Sequence, residues 1–206
     1  MGRPSNQFQR KKQIVDALLA VMATTGYENA SINAIAKHAG LASGLVHYHF
    51  KNKQAILVEL VNLLDDTAQT RYTELKSKAS DPRQKLSAFI DSALALGQGS
   101  DQQAVAAWVM IGSESIRQKE VREIYQRVVK KNLNELQSLI KDYSKENNKK
   151  LTKKAIENIA AIIYSSIEGS YQLASTASEI IPKNYAAKAL KNMLFSLLDA
   201  GSDVII

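Results

Sequence analysis

Cysteine is absent from the 206 residues, which excludes disulfides, cysteine-ligated zinc or iron–sulfur centres and thiol nucleophiles. Proline occurs three times and glycine nine, too few for a fold built on tight turns, and that scarcity fits long uninterrupted helices. No apolar run approaches the roughly 18 residues of a bilayer span. Met1-Gly2-Arg3-Pro4-Ser5-Asn6 contains no apolar stretch of the secretory kind, so the expectation is a cytoplasmic chain with no membrane partner. Glu-x-x-His and His-Glu-x-x-His pairs, glycine-rich phosphate loops and a Gly-x-Ser-x-Gly elbow are all missing. The sequence therefore predicts no catalytic residues, no bound metal and no cofactor.

What is present is positive charge, and its placement says more than its total. The net charge is +7. Residues 1–53 carry seven cations (Arg3, Arg10, Lys11, Lys12, Lys37, Lys51, Lys53) against two anions, Asp16 and Glu28. The other three quarters of the chain is nearly balanced. All three histidines, His38, His47 and His49, also lie in the first quarter. A small basic head on a balanced body points to a polyanionic partner, nucleic acid before membrane.

Hydrophobic spacing divides that head into short helices. Ile14, Ala17, Leu18, Val21 and Met22 recur at helical spacing between about Gln9 and Thr24. Arg10, Lys11 and Lys12 gather at the start of this helix, beside the positive end of its dipole, a cost that suggests an external anion. Gly26 supplies a position tolerant of positive φ. Ser31 is placed to cap a helix Ile32–His38, Gly40 ends it, and a second short helix Ala42–Tyr48 follows. Two helices of about two turns joined through Ala39-Gly40-Leu41 make a helix-turn-helix pattern, with Ile35, Leu41 and Val46 as its shared core. On the outer side Ser43, Gly44 and His47 share a face, with Tyr48 beside them. Small residues there allow close backbone approach, and His47 and Tyr48 can donate to phosphates or base edges. His49 lies about 200° around the helix from His47, so the two are separate groups at a helix end rather than co-ligands. An ordinary solvated polar face is the bland alternative.

The run from Ser31 to Lys53 resembles the DNA-binding segment of the tetracycline-repressor (TetR) family. It has the opening hydroxyl residue Ser31, Ile35-Ala36, Ala39-Gly40-Leu41, Gly44, and the close Tyr48-His49-Phe50-Lys51-Asn52-Lys53. The resemblance spans roughly residues 8–58. It departs at Ala42, where a capping hydroxyl residue is usual, leaving the cap to Ser43 or to nothing. His47 stands where a Tyr is usual and is similar to the subset resembling the betaine-pathway repressor. The resemblance implies an all-α fold of about nine helices: a three-helix DNA-binding head, residues 1–52, and a helical effector-binding and dimerisation body, residues 53–206. It implies a homodimer on a palindromic operator in double-stranded DNA, released by an unknown small-molecule effector. Expected DNA contacts are Arg10, Lys11, Asn33, Ser43, Gly44, His47, Tyr48, His49 and Lys53, with Lys53 at a helix start meeting a phosphate.

The body offers helical rhythm and few motifs. Helices are expected from Lys53 to about Lys78, from the Asp81-Pro82 cap to about Leu96, through Trp108 to about Ile116, from about Val121 to Lys145, and from the Thr152 cap to about Ala174. Gly97–Asp101 is a break, and Pro182 or Asn184 opens a last helix ending near Gly201. Trp108 is the sole tryptophan, set among small residues, with Glu114 six positions on. Tyr164, Glu168 and Tyr171 fall on one helical stripe. Trp108, Tyr164, Glu168 and Tyr171 are therefore candidates to line an effector pocket, and carboxylates amid aromatics suit a cation. Core or dimer packing is the alternative for the aromatics, and a Lys or Arg partner for Glu168. The small face Ala160, Ala161, Ser165, Ser166 and Gly169, with Ala186, Leu190, Leu194 and Leu197 of the last helix, is assigned to a two-fold dimer. A helical ligand-binding or adaptor protein that no longer reads DNA is the rival to a DNA-binding repressor, and uncapped Ala42 is its support.

Overall fold

The computed structural model describes residues 6–94 and 102–200, and among them it contains nine helices. These are α1 Asn6–Asn29, α2 Ile32–Ala39, α3 Ser43–His49, α4 Lys53–Ser77, α5 Pro82–Ala93, α6 Gln102–Arg117, α7 Lys119–Glu146, α8 Lys153–Thr176 and α9 Tyr185–Ala200. The all-α fold is as the sequence implies. Gly97–Asp101, the far ends near Leu96 and Gly201, and the opening residues through Ser5 lie outside the described residues. None of the described helices is long and apolar enough to cross a membrane.

The chain forms two compact units: residues to 65 together with 102–126, and residues 66–94 together with 127–200. This partition differs from a cut after residue 52. α6 packs directly on α1, so the structural unit that holds the helix-turn-helix also holds α6, the start of α4 and the start of α7.

In the first unit α1 is the spine. Ile14, Leu18 and Met22 are fully enclosed, and Ile35 of α2, Val46 of α3, Ile56 and Leu57 of α4 and Ile111 of α6 are equally buried. α1 is already helical at Asn6 and kinks at Gly26, whose φ of 76° requires a residue without a β-carbon. The second unit has its own core, drawn from α4, α5, α7, α8 and α9 around Leu86, Ile90, Leu136, Ile140, Ile163 and Leu194. The Asp81 carboxylate accepts from the Gln84 amide at 2.7 Å and the Thr152 hydroxyl from Ala155 at 3.1 Å, both as the sequence predicts. Asn184 takes positive φ (57°) and Tyr185 begins α9, so the last helix opens from Asn184 rather than Pro182.

The expected dimer face needs correction. Ala160, Leu190 and Leu194 are enclosed by their own chain's core, because α8 and α9 bury the stripe that packs them together. The exposed side of α8 carries Ala161, Ile162, Ser165, Gly169 and Leu173, and that of α9 carries Ala189 and Met193.

Candidate nucleic-acid interface

Short backbone bonds build the α2–α3 corner. Ser31 caps α2 by accepting from Ala34 at 3.1 Å. At the other end Gly40, with φ 64°, lets its own amide and that of Leu41 reach the Lys37 and Ala36 carbonyls at 3.2 and 2.9 Å. Gln13 of α1 donates to the Ala39 carbonyl at 2.6 Å and pins that end from outside. α3 starts without a side-chain cap at Ala42. Ser43 does not take over the capping: its hydroxyl donates to Asn33 Oδ1 on α2 at 2.7 Å. Val46 is the buried α3 side chain, and it anchors a helix whose other face stays open.

That open face brings together most of the expected residues. Asn33, Gly44, His47 and Tyr48 are exposed and Ser43 is half-buried, with nothing near the Gly44 α-carbon. Tyr48 is 78% exposed, unusual for so large a ring and consistent with a contact surface. His49 turns the other way, half-buried with its ring edge-on to Tyr48 at 5.1 Å. Its Nδ1 is enclosed with no hydrogen-bond partner among the described residues. Arg10 donates to Gln13 at 2.8 Å, and Lys11 lies over the Phe50 ring at 5.6 Å. Both cations sit half-buried in the second turn of α1.

Lys53 is drawn back toward α1. Its ammonium donates to the Tyr27 carbonyl at 2.7 Å and the Glu28 carbonyl at 3.2 Å, and sits 4.3 Å from the Tyr27 ring centre. Two of its three N–H donors brace the start of α4 against the end of α1. Asn52 caps α4 through Ala55 at 2.8 Å, a role legible in its residue type but not assigned from the sequence.

The sequence places Glu114 near Trp108 but gives no sign of its burial beneath this brace. Glu114 of α6 is 5% exposed and accepts from Gln118. Burial, and then the Glu114 charge, push the Tyr27 hydroxyl up to about 12. Burial lowers the Lys53 amine from its ordinary value, while the Glu114 charge acts the other way. Arg117, one turn on, pairs with Glu28. Charge buried on a helix with an apolar inner stripe leaves no periodic signal.

The residues expected at an effector pocket fall in different units. Trp108 belongs to the first, half-buried on α6 with its ring 6.2 Å from that of Tyr125. Tyr164, Glu168 and Tyr171 lie on α8 in the second. There Tyr164 accepts from Asn132 at 3.5 Å and Tyr171 donates to the Ala93 carbonyl. Burial, followed by the Glu168 charge, raises the Tyr171 pKa, against a smaller opposing effect of Arg71. An open surface groove of about 410 Å³ runs along α1 and α2 past Gln9, Lys12, Asp16 and His38. None of the four expected effector residues lines it.

A basic, open α2–α3 corner on an all-helical scaffold defines a helix-turn-helix regulator. Residues 14–60 match the bacterial regulatory proteins of the tetR family, and residues 82–199 match the BetI-type transcriptional repressor C-terminal domain. The chain belongs to the TetR family, with a body of the BetI type. The HTH-type transcriptional regulator BetI of Agrobacterium fabrum is 35% identical over 128 residues, which are 60% of this chain and 61% of that protein. The chain thus spans about three fifths of that relative's length in the match. Among solved structures, a transcriptional regulator from Rhodococcus sp. Rha1 superposes with a TM-score of 0.79 at 21% identity, covering 93% of this chain and 97% of that one. A Saccharomonospora viridis regulator in complex with choline gives 0.75 at 19% identity, covering 93% and 96%. At such identities these two show the shared fold.

Proposed function

We propose that this chain is a cytoplasmic, homodimeric transcriptional repressor that binds a palindromic operator and releases it when a small molecule binds. Residues 1–52 are the DNA-reading part and residues 53–206 the effector and dimer part. The carrying observation is the open α3 face: Gly44, His47 and Tyr48 exposed beside Asn33, with Val46 buried on the opposite side. Family membership supports the reading. Two recognition helices related by a two-fold axis would meet half-sites one helical turn apart. The exposed sides of α8 and α9 supply a self-complementary surface, with Ala161, Ser165 and Gly169 permitting close helix approach and Ile162, Leu173 and Met193 adding apolar area.

For the effector the proposal is a cation of the choline type, held on α8 by the Glu168 charge and the faces of Tyr164 and Tyr171. The choline complex of the Saccharomonospora viridis regulator supports that class. Trp108, with Tyr125, forms a separate aromatic pair in the other unit and serves as a fluorescent reporter.

The test is a gel-shift series with fragments of the chain's own genomic neighbourhood, run across salt and then with choline. Sequence-selective retardation that weakens steeply with salt supports the repressor, and its absence favours a helical ligand-binding protein, the reading that uncapped Ala42 keeps in play. Release by choline in the wild type but not in Glu168→Gln supports the α8 site. Release unaffected by that change places the effector elsewhere.

A further inference from the structure

The hydrogen bond between Ser43 and Asn33 joins the two helices of the corner at the place where α3 lacks a cap, and it uses the donors and acceptors of both side chains unequally. Ser43 gives its only proton to Asn33 Oδ1 at 2.7 Å. A carbonyl oxygen has two lone pairs, so Oδ1 keeps one acceptor site, and Nδ2 keeps both of its protons. Asn33 is exposed, near the start of α2, beside the open face of α3. An amide held in this way presents an acceptor and a donor side by side in a fixed order. That order complements the major-groove edge of adenine, where N6–H donates and N7 accepts, and no other single base shows the same pattern.

We infer that Asn33 reads an adenine in each operator half-site, and that Ser43 is a positioning residue that fixes the Asn33 amide for it. This rests on the DNA-binding reading above and narrows it to one base position. An unheld asparagine can rotate its amide and exchange the two atoms, so it must be ordered when DNA binds. Ser43 immobilises the side chain, and with its hydroxyl donating to Oδ1 both Nδ2 protons stay free for the base, which reduces that cost. It also accounts for a hydroxyl at the first residue of α3 that does not cap the helix.

The experiment is selection from a randomised double-stranded DNA pool by the full chain, followed by affinity measurements on the selected site and on single-base changes. The wild type should require an A·T pair at one position of each half-site. Asn33→Ala should lose roughly 5- to 100-fold affinity for that site and become indifferent to the base there. Asn33→Asp keeps an acceptor for the Ser43 proton but lacks the donor, so its preference at the same position should move to cytosine, which offers N4–H. Ser43→Ala should lose roughly two- to ten-fold with discrimination relaxed at that same position, and Ser43→Thr should restore it. A purely structural role for Ser43 would weaken all sequences alike. The inference is overturned if Asn33→Ala retains the wild-type profile, if Ser43→Ala relaxes a different position, or if the preferred base is not adenine. A wild-type chain with no preference at any position overturns the repressor reading as well, whereas a selective wild type unaffected by either change overturns this inference alone.

Discussion

The open corner of the first unit and the core of the second put their polar side chains to opposite uses. In the first, Asn33, His47 and Tyr48 stand in solvent on a corner whose backbone is tightly bonded. In the second, tyrosines turn inward and find partners: Tyr72 donates to Glu135, Tyr171 to the Ala93 carbonyl, and Tyr143 to Asp199 while accepting from Arg83. A core is stable when its donors and acceptors are used up, whereas a reading surface works because some are left over. The difference lies in where the hydrogen bonds go, since both units draw on the same residue types.

The comparison can be broken most forcefully in the second unit. Leu194→Ala removes a fully enclosed side chain and should cost about 2–5 kcal/mol in denaturant unfolding, while Asn192→Ala, at an exposed position of the same helix, should change stability by less than about 0.5 kcal/mol. Equal effects would return Leu194 to a subunit face. Next comes Tyr72→Phe, which removes the bond to Glu135 and should cost about 1 kcal/mol, since Lys76 still pairs with that carboxylate at 2.6 Å. Burial alone would raise the Glu135 pKa, but the hydrogen bonds from Lys76 and Tyr72 and the Lys76 charge outweigh it and hold the carboxyl below its ordinary value. A depressed folded value contributes stability above the unfolded pKa and loses it as pH falls through the folded one. Tyr72→Phe should therefore flatten the acid side of the stability–pH curve.

In the first unit the expected effects are smaller and bear on binding. Ser31→Ala removes a working cap and should cost about 1 kcal/mol. Lys53→Ala sharpens the contrast between spent and unspent donors. With its ammonium bonded to two carbonyls, the change should lower the melting temperature and leave the salt dependence of DNA binding unaltered. A slope reduced by about one unit would instead mark a phosphate contact.

The corner and the helix caps were the most legible parts of the molecule because their determinants are local. Ser31, Gly40, Asp81 and Thr152 each act within four residues of themselves, and the structure finds them acting so. Contacts across the fold were not legible. An apolar stripe on α9 shows that Leu190 and Leu194 are covered, but not whether by their own chain or by another copy. Lys53 reads as an exposed cation until the end of α1 is placed beside it. Glu114 lies buried on α6, and its electrostatic partner Lys53 comes from a helix 61 residues earlier in the chain. The α8 stripe of Tyr164, Glu168 and Tyr171 was visible as a stripe, and its neighbours Asn132 and Ala93 lie 32 and 78 residues away in sequence.

The most direct test of the central claim, that the open α3 face reads DNA, is the operator affinity of His47→Ala beside its oligomeric state and melting temperature. His47 is exposed, so the fold should lose no more than about 0.5 kcal/mol and association between copies should be unchanged. The account expects operator affinity to drop while weak binding to unrelated DNA persists. Wild-type operator affinity in a folded His47→Ala chain would contradict it.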